Sequence, residues 1–482
     1  MKKTALKTDW DLSVFYSDPK DPQIEKDTQA LEAAYGSFAK KYQNRQDYLE
    51  NETALGEALK DWEKLSEIAG SWRPGIYYSY IKALNSADAY ADAQLNLLTS
   101  RLTKASNAII FFTLRLGKIA PNLQTQFLKN PKLAKYRYYL KQIFDTSKHD
   151  LTEAEEKIMS LKSQPAYSLW VDGAEKLLTG QTVEKKKKGK TRAMPIGEAM
   201  SKVSGLPPKE RRELWRAITA NLKSISHFAE AEVNAIVIDK KINDDLRGFK
   251  EPYSATVLGY QNEEATVTNL TKTVTDHFHV SARFYKLKAK LLKQKSLEYA
   301  DRGADLGQVK KKIPFAEAAN LVSEAFAEAD QKYADIFQRY LTNGQIDVFS
   351  KKGKDSGAFC SSSTDNPTFV LLNHADNLNS VTTIGHEMGR AFPSEISSAS
   401  QPVLYQGYST AVAETASTFF ENFVFEKIFS TLSPKEQIAA LHDRINGAIS
   451  TVFRQVAFFN FELELHREII AKGALTKEQI AE

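Results

Sequence analysis

The sequence predicts a mainly α-helical protein, and three observations predict it. Apolar residues recur at three- and four-residue spacing through most of the 482 positions, as they do in helices with one buried face. Helix-start devices recur along the whole chain. The pattern yields to β-favouring runs in only two places, and no repeat of fixed period occurs, which excludes a solenoid. A hydrophobic fraction of 42% beside 26% charged residues is ordinary for a globular chain, with length enough for two or three domains or one large bilobal enzyme.

The elements follow in order. DPQIEKDTQALEAAYGSFAKKY opens on Asp21 as a cap, with Pro22 at the first helical position. In DLTEAEEKIMSLK, Thr152 and Glu155 are spaced as a capping box. AEKLLTGQTVEKKKKGKTRAMPIGEA reads as a hairpin with a basic tip, KKKKGK. No aromatics interleave with those lysines, so a solvated turn is the better reading than a nucleic-acid grip. The hairpin is the expected boundary between an N-terminal helical lobe, residues 1–195, and a second lobe, residues 196–482. NPTFVLLN, residues 366–373, is too short for a helix and reads as a buried or edge strand. A helix through VTTIGHEMGRAF is expected next, capped by Asn379 or Ser380 and stopped by Pro393. QGYSTAVAETASTFFENF has helical periodicity, and LSPKEQIAALHDRI repeats the capping box with Ser433, Pro434 and Glu436. LTKEQIAE holds a further helix start, with Thr476 and Gln479 as box and Leu475 and Ile480 as staple, so the chain reads as cut short.

Several function classes are disfavoured. A single cysteine, Cys360, permits no internal disulfide and fits a reducing compartment; a small buried hydrophobe is its expected role. MKKTALKTDWDLSVFY has lysines but no apolar core behind them, so it does not read as a secretory signal. No run of about 18 apolar residues is present to span a membrane. The net charge of +5 is small for the length and points to neither nucleic acid nor membrane. A soluble, cytoplasmic protein is expected.

The chemistry gathers in TTIGHEMGRAF. H-E-x-x-H sets two imidazoles one helical turn apart as zinc ligands, with a glutamate between them as general base for a metal-bound water. His386 and Glu387 fill the first two places, and Arg390 stands in the last. Glu414, on a second helical segment, is the expected carboxylate ligand. Glu421, seven residues further on the same face, is the expected orienting group behind it. An arginine offers only donors and stays charged, so it cannot replace a ligand. It can instead fork onto Glu414 or Glu387 and supply the missing positive charge. His374, His277, His279, His442 and His466 read as structural.

These residues carry a family resemblance. GAFCSSS (357–363), PTFVLLNHADNLNSVTTIGHEMG (367–389), AETASTFFENF (413–423) and the opening WDLSVFY (10–16) resemble the oligoendopeptidase F group of thimet-oligopeptidase-like zinc peptidases. The resemblance implies a mainly α, two-lobed fold around a deep channel, with a small β element beside the H-E helix and residues 196–482 as the metallopeptidase-like lobe. It implies hydrolysis of short peptides, with zinc held by His386 and Glu414 and with Glu387 as base. The sequence departs from the family at Arg390, where the family has histidine. It also ends before a C-terminal segment whose tyrosine and histidine hold substrate in the family. Pro393 is a lesser departure. Two outcomes stay open: an impaired zinc oligoendopeptidase, or a catalytically silent relative that binds peptides.

Overall fold

The computed structural model describes residues 6–187, 190–307, 309 and 311–482. Helices dominate it, and their starts are those that local chemistry favours. The Asp21 carboxylate accepts from the Gln23 N–H (2.9 Å) ahead of the helix Pro22–Tyr42. Asn51 takes the N–H groups of Thr53 and Ala54 to open Glu52–Ser71. The first helix buries Ile24, Leu31, Tyr35, Phe38 and Tyr42, a stripe with the three-to-four spacing read in the sequence. Phe38 and Tyr42 pack with Tyr48 and Phe112 in an aromatic cluster, where each buried ring contributes about 1.5–3 kcal/mol.

The chain divides into two units, each discontinuous in sequence. One comprises residues up to Leu161 and Lys311–Leu432; the other comprises Lys162–Lys310 and Ser433–Glu482. The expected cut near residue 195 is therefore not a unit boundary. The hairpin, β1 (Thr182–Lys187) and β2 (Lys190–Pro195), lies inside the second unit. The reason is its apolar content: Val183 and Met194, paired across the ladder, bury against Leu214 and Ile218 of the helix Pro208–Ser224. Of the basic tip, Lys188 and Gly189 lie outside the described residues, as do the first five residues of the chain.

The first unit holds a three-stranded sheet of β3 (Ile346–Phe349), β4 (Phe359–Ser361) and β5 (Phe369–His374), in the order β3-β5-β4. β5 is the strand expected at 366–373, running parallel to β3 and antiparallel to β4. WDLSVFY packs on it. The Trp10 indole N–H donates to the Val370 carbonyl (2.9 Å), and the Trp10 and Phe15 rings lie 5.6 and 5.8 Å from Phe369. β5 leads directly into the helix that carries His386.

In the second unit, Pro434–Ile449 passes through a π turn, Ser450–Arg454, into Gln455–Lys472. The capping boxes at Ser433/Glu436 and Thr476/Gln479 both form. Leu475 and Ile480 pack with Val237 and Ile469, which anchors the last helical turn.

Candidate active site

The site is built on two helices of the first unit, Leu378–Ser400 and Thr410–Phe429. The first starts at Asn377, whose side chain accepts from the Ser380 N–H (2.9 Å), while the Ser380 hydroxyl takes the Asn377 N–H. Asn379 and Ser380 are thus inside the helix, and Ser380 serves as the reciprocal member of the box. Pro393 does not stop it either; the helix runs on to Ser400. Pro393 removes the donor for the Gly389 carbonyl, and the next carbonyl, that of Arg390, accepts from the Ser394 and Tyr408 hydroxyls (3.3 Å each).

Two glycines decide how closely the helices approach. At Gly385 an added Cβ would stand 2.8 Å from Val424 and 3.3 Å from the Glu421 Cα. At Gly389 it would stand 2.7 Å from the Ser417 Cα and 2.8 Å from the Ala416 carbonyl oxygen. One turn apart on one face, they bring the second helix backbone against the first and set Glu414 and Glu421 beside His386.

His386, Arg390, Glu414 and Glu421 form one cluster. The imidazole Nε2 lies 3.3 Å from Glu414 Oε2, and Nδ1 lies 3.0 Å from Glu421 Oε2. Arg390 Nη2 pairs with Glu414 Oε1, so one carboxylate joins the guanidinium and the imidazole. Ser417 adds a hydroxyl donor to Glu414 Oε2 (2.7 Å). Glu387, next to His386 on the helix, reaches β4. It is 5% exposed, takes the Cys360 backbone N–H, and its Oε2 has no partner among the described residues. Burial pushes its carboxyl above the usual range; the nearby His386 and Arg390 charges and the Cys360 N–H pull the other way.

Sequence reasoning missed two neighbours. The Cys360 thiol sits near Glu387, and burial first, then that carboxylate, holds it strongly protonated. Ser362, Ser394 and Tyr408 form a hydroxyl chain, at 3.1 and 2.5 Å, beside Arg390. The signal was present in GAFCSSS and QGYST, but strand pairing is needed to bring the first to the helix, and the second lies in the connection between the two site helices. His374 is turned elsewhere, its Nε2 3.1 Å from the Ile313 carbonyl. His442, which had no evident partner in sequence, has Nδ1 3.1 Å from Asp443.

A tetrahedral zinc site with one open position needs three protein donors. His386 Nε2 and Glu414 Oε2 converge, but a cation occupies the third place and holds the other Glu414 oxygen. Among the described residues no group of three His, Cys, Asp or Glu side chains is arranged to hold a metal ion. The residues present do not fit the metal.

Comparison with known proteins fixes the family. The oligopeptidase F profile matches residues 116–172, and that of peptidase family M3 matches residues 207–482. The group B oligopeptidase PepB of Streptococcus agalactiae is 25% identical over 488 residues, covering 98% of this chain and 78% of that one. Oligopeptidase PepF of Bacillus subtilis is 24% identical, covering 95% and 69%. In fold, the chain resembles the crystal structure of oligoendopeptidase-F from Enterococcus faecium, with a TM-score of 0.67 at 18% identity over 95% of this chain and 77% of that one. Mainly helical, with one small sheet leading into the H-E helix and a family match over more than half its length, the chain belongs to peptidase family M3.

Proposed function

We propose that this chain is a peptide-binding member of the family whose hydrolysis of short peptides is impaired, because Arg390 has taken the place of the zinc ion. One observation carries this reading: the guanidinium is paired with Glu414, the carboxylate that otherwise serves as a ligand, at the imidazole of His386. The positive charge the cluster requires is supplied by a side chain, and both neighbouring glutamates keep a partner without a metal. Glu421 fixes the His386 ring from its Nδ1 side. The single cysteine is consistent with a reducing, cytoplasmic setting.

A second reading, a zinc peptidase of reduced activity, is favoured by Glu387. A buried carboxylate with a free oxygen and a raised pKa has the character of a general base. The zinc content of the purified chain, together with cleavage of a quenched short peptide, separates the two. The wild type is expected to hold no zinc after dialysis against a weak chelator and to bind peptides without cleaving them. Arg390→His is expected to take up about one zinc per chain and to gain cleavage that Glu387→Gln removes. Stoichiometric zinc in the wild type would overturn the first reading in favour of the second.

A further inference from the structure

The second unit contains a cavity of about 260 Å³ that the peptidase site does not use. Its walls include Trp215, Tyr285, Asn446, Ser450 and two arginines, Arg302 and Arg454. The volume lies just below the usual range of roughly 300–1,000 Å³ for organic ligands, and suits a group the size of one amino acid or a phosphate ester.

The arginines are held without being neutralised. The Arg302 guanidinium lies over the Tyr299 ring (4.3 Å) and near the Trp215 ring (5.3 Å). Arg454 lies over Phe458 (4.4 Å) and donates to the Tyr299 hydroxyl (3.3 Å). Both are thus anchored on one phenol, and neither has a carboxylate partner among the described residues. Stacking orients a guanidinium while leaving its in-plane N–H groups available, the arrangement that recognises planar oxyanions. Behind Arg302 the buried Lys288 ammonium donates to the Arg302 carbonyl (2.7 Å) and to Asn446 Oδ1 (2.9 Å), which fixes two further elements of the wall. Both guanidiniums also act on the Tyr285 hydroxyl, lowering a pKa that burial raises, so their fields converge on the cavity.

A second observation concerns the backbone. Ser450 and Arg454 are the two ends of the π turn that interrupts an otherwise continuous helix from Pro434 to Lys472. Single π turns are rare and concentrate at functional sites, because the extra residue re-aims a side chain at the cost of a regular hydrogen-bond ladder. Here Arg454, the re-aimed residue, lines the cavity.

We infer that this cavity is a binding site for a small oxyanion, a carboxylate or phosphate group, held between Arg302 and Arg454 with Ser450 and Asn446 as polar neighbours. The site lies in a different unit from His386 and does not depend on whether the peptidase site is active.

Titration calorimetry on the full chain tests it with two probes: inorganic phosphate, and a short peptide as free acid or as C-terminal amide. Binding of at least one oxyanion probe is expected, weakened roughly tenfold by Arg454→Gln and further by Arg302→Gln in the same chain. Phosphate binding that those substitutions weaken supports the site with a phosphate source. Binding of the free-acid peptide but not the amide, lost in the same variants, supports it with a peptide terminus as source. Ser450→Phe fills the cavity with both arginines kept, and it should also abolish binding, which covers the case of an arginine variant that does not fold. Failure of the wild type to bind either probe, or equal binding by wild type and all variants, overturns the inference. Arg390→His should leave phosphate binding unchanged, so that arm's outcome is separate from that of the peptidase proposal.

Discussion

At position 390 the two residue types differ in kind, not in degree. Histidine offers a lone pair, whereas arginine offers only N–H groups and a permanent charge, so the exchange converts a ligand into a counter-ion. Glu414 faces that position, and its carboxylate pairs with the guanidinium. Lys288 shows the opposite balance. Its side chain is fully buried, and burial outweighs the attraction of Asp443 and Asp305, pulling its pKa from 10.5 to about 8. The unfolded chain therefore keeps this proton to higher pH than the folded one, and stability should rise between about pH 8 and 10.5. The melting temperature of the wild type, compared with that of Lys288→Met, is expected to shift in the wild type's favour across that window. A constant difference would show that burial does not perturb this lysine.

At the scale of elements, the helix pair is governed by close backbone approach. Gly389→Ala would press a methyl group against Ser417 and the Ala416 carbonyl, and it should cost about 1–3 kcal/mol in urea unfolding. An unchanged midpoint would mean that the second helix can move aside. Helix starts were largely legible, because Asp21, Ser433 and Thr476 act through their own side chains on N–H groups two or three residues away. β5 was legible as an apolar run. β3 and β4 were not, since three- and four-residue strands are defined by their partner and carry little pattern of their own. The cap at Asn377 was misplaced by two or three residues because DNLNS offers several capping side chains in succession. Pro393 misled for a tertiary reason: the Tyr408 hydroxyl that supports the broken turn comes from outside the helix. Of the candidate site, the residues themselves were legible; the contact of Glu387 with β4 needed the sheet.

At the scale of the whole molecule, the division into units escaped sequence reading. The chain first crosses between units at Leu161–Lys162, inside the helix Glu153–Ser163, with only Pro165 and the π turn Gln164–Ser168 just beyond it to mark the passage. Each unit has its own buried clusters: Tyr42, Phe112 and Trp10 belong to the first, and Val183, Ile218 and Ile469 to the second. Scanning calorimetry is expected to give a calorimetric enthalpy larger than the van't Hoff value, as separately melting units do. Equal enthalpies would show a single cooperative transition. Whatever the units do, the spacing of the two site helices is set within one of them by Gly385 and Gly389, in the backbone itself. The scaffold therefore keeps its shape whichever side chain stands at 390. A substitution at 390 thus changes what the cluster holds without touching the spacing of the helices that carry it.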